Sequence, residues 1–586
     1  MLSYPLDYAK IRKSKRKILN EMRQADRGRD LRLAIVGNHT TAELKSYIEL
    51  FLLDKGYQVQ LFEGGFNRYY EDICIDNDDL IAFDPDFVIV NLSRRGLSTP
   101  FLDGKETPIE LAEQFQDQLN SIVEMTAKNL RANLVLNTIE FDHSRLLGPF
   151  ESVDIRGHVA YVRELNNRIL ALDRFDHVVV NDNNYIGAWF GLERWFDDRL
   201  WHAFRMGYSS NATIELSNAY ANLIHTVLGG SKKVLCLDLD NTLWGGVIGD
   251  DGQSGIEIGP ENGASSAYKA IQEDARQLKH AGVILTIASK NQEENALLGL
   301  RHPNGIVREA DFAVIKANWN LKSQSIKEIA HILNVGVDSL VFLDDNPAER
   351  MEVSQALPMV SVPEVSNEPT GFMKQIAHGG YFHKYALTHE DQKRADYYTS
   401  NAKRDQLLNQ VGHRAEYLKQ LAMETEIEQY SPLYQARILQ LINKTNQFNL
   451  NGVRITESEL APYIEGQKGY IGIYGTLIDR FSDAGLVSAL YGRKEGSVFY
   501  LDQWVMSCRV FKRDLEKGIF SVLVNRLLHE QVIEIHAKYL KTEKNIIMED
   551  TLQSLEFKWD HEQECYTYSI RGPITFPDCL KRITDE

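Results

Sequence analysis

Short apolar runs alternate with helical patterns through the first part of the chain. The runs cover residues 31–37, 57–62, 87–92, 133–138 and 178–181. Short apolar runs bounded by turn residues are typical of buried strands. Strands that alternate with helices predict a parallel sheet with helices on both faces. We therefore expect an α/β domain over residues 1–228.

The same alternation starts again after Lys232. The apolar runs here cover residues 233–237, 282–288, 313–315 and 340–343, and helical patterns join them. This predicts a second doubly wound parallel sheet, over residues 229–375. A polar, densely charged stretch, 376–425, is expected to be a helical connector. Residues 426–586 mix helix and strand patterns, so the predicted fold is multi-domain α/β followed by an α+β domain.

Length and charge narrow the possible functions. With 586 residues the chain is too long for one core. A net charge of -17 argues against nucleic-acid binding, which needs a concentrated basic surface. The basic run 10–17 is expected to be a solvated helix face, with a lipid or phosphate contact as the alternative.

Hydropathy and cysteine usage indicate the compartment. The chain has no apolar stretch long enough to span a membrane and no apolar signal core near its first residue. The five cysteines are scattered and lack metal-ligand spacing. We therefore predict a reduced, cytoplasmic protein without a membrane span.

The first strand of the second region runs into two acidic residues, Asp238 and Asp240. Ligands in open α/β sheets bind at the carboxyl ends of the strands. Two carboxylates at this position can share a crevice with Mg²⁺. One can attack phosphorus to give an aspartyl-phosphate, and the other can protonate the leaving oxygen and later activate water. The pattern therefore predicts a phosphoryl-transfer site.

Side chains that can bind phosphate or a metal ion follow the other strands of this region as well. Ser289 ends the second strand and can donate to a phosphate oxygen. Lys322 precedes a helical pattern, where a cation can hold a transferring phosphoryl group, and Lys316 is a rival for that role. Asp344 and Asp345 follow the fourth strand and add metal-binding carboxylates.

These segments resemble the four motifs of the haloacid dehalogenase-like (HAD) superfamily. The resemblance makes Asp238 the nucleophile and Asp240 the general acid and base. It assigns the metal ligands as Asp238, Asp240 (through its backbone carbonyl), Asp344 and Asp345. It assigns phosphate or substrate binding to Asn241, Thr242, Ser289, Lys290, Asn291 and Lys322. The intervals between motifs are too short for a cap domain, which predicts an open site for a large or protein-borne substrate.

A narrower resemblance, to FkbH-like proteins (HAD subfamily IIIC), covers most of the chain. It is carried by segments 238–252, 288–291, 318–322, 342–350, 440–450, 479–486, 504–510 and 542–545. The family's C-terminal domain is similar to GNAT acyltransferases. The resemblance implies that a phosphorylated three-carbon acyl unit, from 1,3-bisphosphoglycerate, is transferred to an acyl carrier protein and dephosphorylated.

The acyl-transfer part of this reading rests on a few residues. Cys508 lies beside Arg509, a cation that favours the thiolate, so it is a candidate acyl carrier; a packed small side chain is the alternative. A helix expected to open at Gly518 has backbone amides that can bind a pyrophosphate. The candidate pantetheine-binding residues are Arg509, Arg513, Gly518 and Asn545. A carrier's phosphopantetheine arm is the alternative to coenzyme A, because the loop before Gly518 has one glycine where GNAT proteins have two.

The first region resembles a degenerate SGNH-hydrolase-like domain. Hydrolases of that type carry serine after the first strand, where this chain has Gly37-Asn-His-Thr-Thr41. We expect His39 and His202 to be structural and the domain to lack hydrolase activity. Two other functions stay open: an HAD enzyme acting on a phosphorylated sugar or amino-sugar in surface-polysaccharide assembly, and a non-catalytic scaffold for a carrier protein.

Overall fold

The computed structural model describes residues 2–24, 29–98, 107–142, 145–260, 262–366, 368–387, 404, 407, 411, 413–542 and 545–583. They form two compact units, Met1–Val227 and Leu228–Glu586.

The first unit is built around a parallel sheet, as the sequence predicts. Its strands are β1 (Arg29–Gly37), β2 (Tyr57–Glu63), β3 (Phe87–Asn91), β4 (Asn133–Asn137) and β5 (Val178–Asn181), in the order β2-β1-β3-β4-β5. Its helices are α1 (Tyr8–Gln24), α2 (Ala42–Asp54), α3 (Tyr69–Cys74), α4 (Asp78–Phe83), α5 (Pro108–Met125), α6 (Phe150–Val153), α7 (His158–Leu170), α8 (Asn183–Phe190), α9 (Leu192–Trp195), α10 (Asp198–Phe204) and α11 (Ser210–Val227). The basic run 10–17 lies on α1, where Lys15 pairs with Glu43.

The second unit begins with another parallel sheet. Its strands are β6 (Val234–Leu237), β7 (Ile284–Ser289), β8 (Phe312–Ala317) and β9 (Leu340–Leu343), in the order β8-β7-β6-β9. Its helices are α12 (Ile248–Gly255), α13 (Gly263–His280), α14 (Glu293–Leu300), α15 (Lys322–Leu333), α16 (Pro347–Ala356) and α17 (Phe372–His378). Because β6 lies centrally between β7 and β9, residues that follow all three strands meet at one edge.

The C-terminal part is a mixed sheet, which agrees with the predicted α+β class. Its strands are β10 (Met423–Thr425), β11 (Ile427–Gln429), β12 (Phe448–Asn449), β13 (Tyr470–Asp479), β14 (Ser482–Glu495), β15 (Val498–Met506), β16 (Glu534–Ala537), β17 (Lys558–Asp560), β18 (Cys565–Ser569) and β19 (Leu580–Arg582). Strands β13, β14 and β15 are antiparallel, whereas β15 and β16 pair in parallel. Its helices are α18 (Arg414–Gln420), α19 (Gln435–Lys444), α20 (Glu457–Ile464), α21 (Leu515–His529) and α22 (Ile546–Ser554).

One apolar core joins the second parallel sheet to the mixed sheet. It contains Cys236 and Phe342 from the parallel sheet, Ile329 from α15, and Trp504 and Phe520 from the C-terminal part. Cys236 is fully buried, as the alternation along β6 predicts. The two parts of the second unit are therefore packed around one shared core.

Of the predicted connector, 376–425, the structure describes 376–387, 404, 407, 411 and 413–425, and the other positions lie outside the described residues. Its described parts include the end of α17 and all of α18. Among the described helices, none is both long and apolar enough to cross a membrane.

Candidate active site

Three carboxylates meet where β6 and β9 end. Leu237 is paired with Leu343, so Asp238 and Asp344 are the next residues on adjacent parallel strands. One ligand oxygen each from Asp238, Asp344 and Asp345 lies within 4.8 Å of the others. Asp238 and Asp344 are buried, and Asp345 is half-buried. The strand register therefore brings together the carboxylates that the sequence placed at these two strand ends.

The charges of this cluster need a cation. Burial, followed by the charge of Asp238, raises the pKa of Asp344 and of Asp345. Hard divalent cations such as Mg²⁺ prefer oxygen ligands, and a bound ion offsets the mutual repulsion of the carboxylates. The donor set consists of oxygens alone, so these residues fit such an ion.

Lys322 supplies a positive charge at the same place. Its ammonium lies 2.5 Å from Asp238 Oδ1 and 2.9 Å from Asp344 Oδ2. Burial opposes the charged form, but the two carboxylates outweigh it and raise the pKa of Lys322. The rival, Lys316, pairs with Glu328 at 2.7 Å instead. The helix α15, which begins at Lys322, therefore delivers the lysine that the sequence favoured.

The Asp240 carboxylate is held by three hydrogen-bond donors. Trp244 Nε1 donates to Oδ1 at 2.8 Å and the backbone N–H of Ile248 donates to the same oxygen at 3.1 Å. Asn291 Nδ2 donates to Oδ2 at 3.0 Å. Burial is the main cause that raises the pKa of Asp240. Its side chain does not belong to the three-carboxylate cluster, which leaves its backbone carbonyl as the predicted metal contact.

The loops after β6 and β9 are tied to each other. The backbone N–H of Asp345 donates to Thr242 Oγ1 at 3.1 Å. Asn241 has a left-handed backbone (φ 55°), and its side chain accepts a hydrogen bond from the N–H of Gly246. Both residues therefore shape the loop that follows Asp238, and their predicted phosphate-binding role stays a prediction.

Sequence reasoning gave no role to Arg350. It is buried, and its Nη1 donates to the carbonyl oxygens of Asp344 and Asp345 at 2.9 and 2.7 Å. The arginine thus fixes the backbone that presents both carboxylates. The available signal was its place in the first turns of α16, directly after the acidic pair.

Ser289 and Lys290 have different surroundings. Ser289 is buried at the end of β7, and its carbonyl accepts a hydrogen bond from the N–H of Asn318 at 3.1 Å. Lys290 Nζ pairs with Glu349 at 2.7 Å and is only half-buried. Ser289 therefore sits at the predicted sheet edge, whereas the lysine next to it is engaged by α16.

Trp319 lies beside this site and is 72% exposed. It stands between Asn318, which bonds to the Ser289 carbonyl, and Lys322. Between Asp238 and Ser289 the described residues form a loop and helices α12 and α13, and between Ser289 and Lys322 they form α14 and β8, with no separate cap domain.

Comparison with known proteins identifies the relatives of this chain. Residues 32–225 match the family "FkbH, N-terminal domain". This part of the chain is FkbH-like. The chain also resembles the crystal structure of the N-terminal part of the protein BF1531 from Bacteroides fragilis, described as containing a phosphatase domain complexed with Mg. The two are 27% identical, with a TM-score of 0.59, over 63% of this chain and 99% of that one.

The C-terminal part has more distant structural neighbours. One is a GNAT-family acetyltransferase from Streptococcus pneumoniae, 13% identical with a TM-score of 0.20 over 25% of this chain and 99% of that one. A likeness at this level carries no functional conclusion. No curated protein shows significant sequence similarity to this chain.

In the C-terminal part, Cys508 lies just after β15, in a short turn over Cys508–Val510. It is half-buried, and its carbonyl accepts a hydrogen bond from Asn334 Nδ2 at 3.1 Å. The side chain of Arg509 lies outside the described part of the chain. Its predicted effect on the Cys508 thiol therefore stays a prediction.

The helix expected to open at Gly518 begins earlier. Helix α21 starts at Leu515, after Asp514 in a left-handed conformation (φ 60°). Gly518 is buried within the helix, where a Cβ would lie 3.1 Å from Leu580 and 3.3 Å from Phe576. The sequence prediction of this boundary was wrong, because the glycine allows close packing rather than opening the helix.

Arg513 and Asn545 are both held inside the protein. Arg513 Nη1 donates to Asp479 Oδ2 at 2.9 Å, and Arg404 binds the same carboxylate. Asn545 donates to the Asn449 carbonyl at 3.0 Å and to the Leu540 carbonyl at 2.9 Å. These contacts fix loops of the C-terminal part, and the pantetheine role of both residues stays a prediction.

The strands β15 and β16 separate after a short parallel pairing. They pair from Val498 to Leu501, and β12 then pairs with the end of β15 through Phe448 and Asn449. The N–H of Leu540, beyond β16, donates to the carbonyl of Leu450 at 3.1 Å. Backbone groups exposed by diverging strands need partners. Here segment 448–450 supplies them, so the chain itself fills the gap between the strands.

In the first unit, polar residues cluster where β1 and β3 end. His39 is buried, with Nε2 2.6 Å from Asn91 Oδ1 and Nδ1 3.0 Å from the Thr40 carbonyl. Burial lowers the pKa of His39. The Thr40 hydroxyl donates to the Phe204 carbonyl at 2.7 Å, and His202 is exposed on α10. His39 is therefore part of the packing network of this unit.

Glu140 lies below the same polar cluster. It is fully buried and accepts hydrogen bonds from Ser93 Oγ at 2.9 Å and from the N–H of Arg94 at 3.1 Å. Its Oε2 has no partner within the described ranges. Burial raises the pKa of Glu140 to about 7.

Proposed function

We propose that this chain is a Mg²⁺-dependent phosphatase of the HAD type with Asp238 as its nucleophile. The observation that carries the proposal is the Lys322 ammonium held between Asp238 and Asp344, beside the third carboxylate, Asp345. The likeness to a Mg-bound phosphatase-containing structure supports it. Mg²⁺ bound by these carboxylates would neutralise charge at the nucleophile and on the phosphoryl group.

The reaction proceeds in two steps. An oxygen of Asp238 attacks phosphorus and the bond to the leaving oxygen breaks, while Asp240 gives its proton to that oxygen. Lys322 stabilises the charge on the transferring phosphoryl group. In the second step Asp240 takes a proton from water, whose oxygen attacks phosphorus. Inorganic phosphate leaves and the Asp238 carboxylate is restored.

The finer proposal is that the phosphorylated substrate is a three-carbon acyl unit loaded onto an acyl carrier protein. The Cys508 sulfur attacks the acyl-phosphate carbon of 1,3-bisphosphoglycerate and releases its phosphate, and the carrier's pantetheine thiol then takes the acyl group. The remaining phosphate ester is hydrolysed at Asp238. Exposed Trp319 and the cap-free opening support a substrate that is attached to a protein.

The distance between the two centres supports a mobile carrier. Lys322 begins α15, a helix of 12 residues, and Asn334 beyond its end contacts the Cys508 carbonyl. A helix of that length spans about 18 Å at a rise of about 1.5 Å per residue. The Cys508 thioester cannot reach Asp238 over such a span, so a swinging phosphopantetheine arm is the group that connects them.

The test combines the protein, MgCl₂, 1,3-bisphosphoglycerate and holo-carrier protein, and measures the intact mass of both proteins. We expect the carrier to gain a glyceryl unit with the unmodified enzyme and a phosphoglyceryl unit with Asp238→Asn. No mass gain on any cognate carrier would count against glyceryl loading. Phosphate release from a sugar phosphate in its place would favour the polysaccharide alternative.

Cys508→Ala tests the acyl step separately. This variant should lose the enzyme-bound and carrier-bound acyl unit but still hydrolyse a simple phosphate ester at Asp238. An acyl adduct that persists on the Cys508→Ala enzyme would remove Cys508 from the proposal while leaving the phosphatase intact.

A further inference from the structure

The Asp240 carboxylate is fixed at each oxygen by a different part of the chain. Its Oδ1 accepts from Trp244 Nε1 and the N–H of Ile248, both in the loop that follows the nucleophile. Its Oδ2 accepts from Asn291 Nδ2, in the loop after β7. Since a carboxylate rotates about one bond, donors at both oxygens define its plane.

The orientation of the Asn291 amide is also fixed. Its Oδ1 accepts a hydrogen bond from the N–H of Gln292 at 2.9 Å, so its Nδ2 is the end that faces Asp240. The side chain is buried, with 4% of its residue surface exposed. Both ends of the amide are thus already engaged by the protein.

The Trp244 indole is held equally firmly. Trp244 is fully buried, and a Cβ added at Gly299 would lie 2.6 Å from its ring. The indole has no room to follow a shifted carboxylate. The contact to Oδ1 is therefore set by packing, and the contact to Oδ2 depends on Asn291.

We propose that Asn291 is a positioning residue that aims the Asp240 carboxylate at the leaving oxygen, and that it is not a phosphate ligand. This rests on the proposed phosphatase function and replaces the phosphate-binding role that sequence resemblance implies for Asn291. Without the amide donor, Oδ2 swings free while the phosphate contacts of Ser289 and Lys322 remain.

A positioning role and a phosphate-binding role for Asn291 predict different dependences of the rate on the leaving group. A misplaced general acid slows departure of a poor leaving group, such as an alkoxide, because that oxygen needs a proton. A good leaving group, such as p-nitrophenolate, departs without one. A lost phosphate ligand weakens all phosphate esters alike, and also weakens inhibition by inorganic phosphate.

The experiment compares Asn291→Ala with the unmodified enzyme on glycerol phosphate and p-nitrophenyl phosphate in MgCl₂. The quantity is kcat/KM, which reports formation of the phosphoenzyme. We expect a loss of about 10- to 100-fold for glycerol phosphate, the size of effect that misplacing a catalytic group produces. The loss for p-nitrophenyl phosphate should stay below about threefold, the inhibition constant of inorganic phosphate should not change, and a structural role would not produce this split.

Two further variants complete the test. Asn304→Ala is the matched control, because its amide donates to the Ile258 carbonyl at 3.1 Å, in the segment between α12 and α13. It should keep the leaving-group dependence of the unmodified enzyme. Asn291→Leu has a similar shape, loses the donor and adds no charge beside Asp240, so it should reproduce the selective loss if Asn291→Ala folds poorly.

The outcomes distinguish failure of the positioning role of Asn291 from failure of the proposed phosphatase function. Equal losses on both esters together with weaker phosphate inhibition would show that Asn291 binds phosphate, and unchanged rates on both would show that it positions nothing. Either result overturns the inference while the phosphatase function stands. If the unmodified enzyme hydrolyses neither ester with Mg²⁺, the proposed function itself fails.

Discussion

Lys322 occupies a position where a neutral residue would leave two buried carboxylates facing each other. Its ammonium contacts both Asp238 and Asp344, whereas Lys316, six positions earlier, pairs with Glu328 at the edge of α15. The two lysines therefore differ in their surroundings: Lys322 lies between two buried carboxylates, and Lys316 forms a partly exposed ion pair.

Replacing each lysine tests this difference. Lys322→Ala removes the cation that stabilises the transferring phosphoryl group, so kcat should fall by about 10²- to 10³-fold. Lys316→Ala, the matched control, should change kcat by less than about twofold because exposed ion pairs contribute little. Phosphate release from p-nitrophenyl phosphate measures both. Similar losses in the two variants would contradict the assignment.

Chelation tests the carboxylate cluster. Removal of divalent cations with EDTA should abolish phosphate release, and added MgCl₂ should restore it, because Asp238, Asp344 and Asp345 lie close enough to share one ion. Asp345→Asn removes one of the three charges and should raise the Mg²⁺ concentration needed for half-maximal rate. Full activity in EDTA would contradict a metal-dependent mechanism.

Much of this site could be predicted from sequence, for a physical reason. Asp238, Ser289 and Asp344 follow apolar strands, and parallel strands bring their carboxyl ends to one edge. The contacts of Asn291 with Asp240 and of Arg350 with two carbonyls depend on side-chain directions across loops. Those directions leave no repeating pattern in the sequence. The role of Asn291 was therefore predicted differently, and the contacts of Arg350 were not predicted.

At the scale of elements, predicted strands agree better with the structure than predicted helix starts. The strand Val178–Asn181 has the bounds expected from its apolar run, because burial of both faces leaves a clear pattern. Helix α21 begins three residues before Gly518, since Asp514 adopts a left-handed backbone conformation that the sequence does not mark. Gly518 was predicted to open the helix, whereas in the structure it allows close packing inside the helix.

Glu140, which follows β4, should make the first unit sensitive to pH. Its pKa is about 7 when folded, against an ordinary value of 4.5, so the folded state binds the proton more tightly than the unfolded chain. The free energy of unfolding therefore falls as the pH rises from about 4.5 to about 7, by about 3 kcal/mol in total, and levels off above that.

Glu140→Gln should remove that dependence, because a neutral amide can accept the same hydrogen bonds from Ser93 and Arg94. Hydrogen exchange of strand β4 in the full chain, measured at pH 5.5 and pH 8, provides the comparison. The unmodified protein should exchange faster at pH 8, after correction for intrinsic rates, and the variant should not. An equal pH effect in both proteins would rule out Glu140 as its source.

At the scale of the whole molecule, the candidate site lies entirely within Leu228–Glu586. The proposed subdivision into residues 1–228, 229–375, 376–425 and 426–586 stays a prediction. The core shared by the second parallel sheet and the mixed sheet argues that these two parts fold together. An experiment that divides the chain should therefore cut it after Val227.

A fragment of residues 228–586 should retain Mg²⁺-dependent phosphatase activity within about threefold of the full chain, since its cores and site residues are all present. The separate fragment 1–227 should show no esterase activity, because the Thr40 hydroxyl is engaged by the Phe204 carbonyl. Initial rates on p-nitrophenyl phosphate and p-nitrophenyl acetate measure the two. Esterase turnover that disappears in Thr40→Ala would overturn the second expectation.

Trp319 gives the molecule a built-in optical signal. It is the most exposed of the chain's seven tryptophans, whereas Trp195, Trp244 and Trp504 are fully buried. Its emission should therefore shift to shorter wavelength when a carrier-borne substrate covers the opening, and Trp319→Phe should abolish the shift while Trp559→Phe preserves it. Docking could then be timed by stopped-flow fluorescence without any label, separately from the chemistry at Asp238.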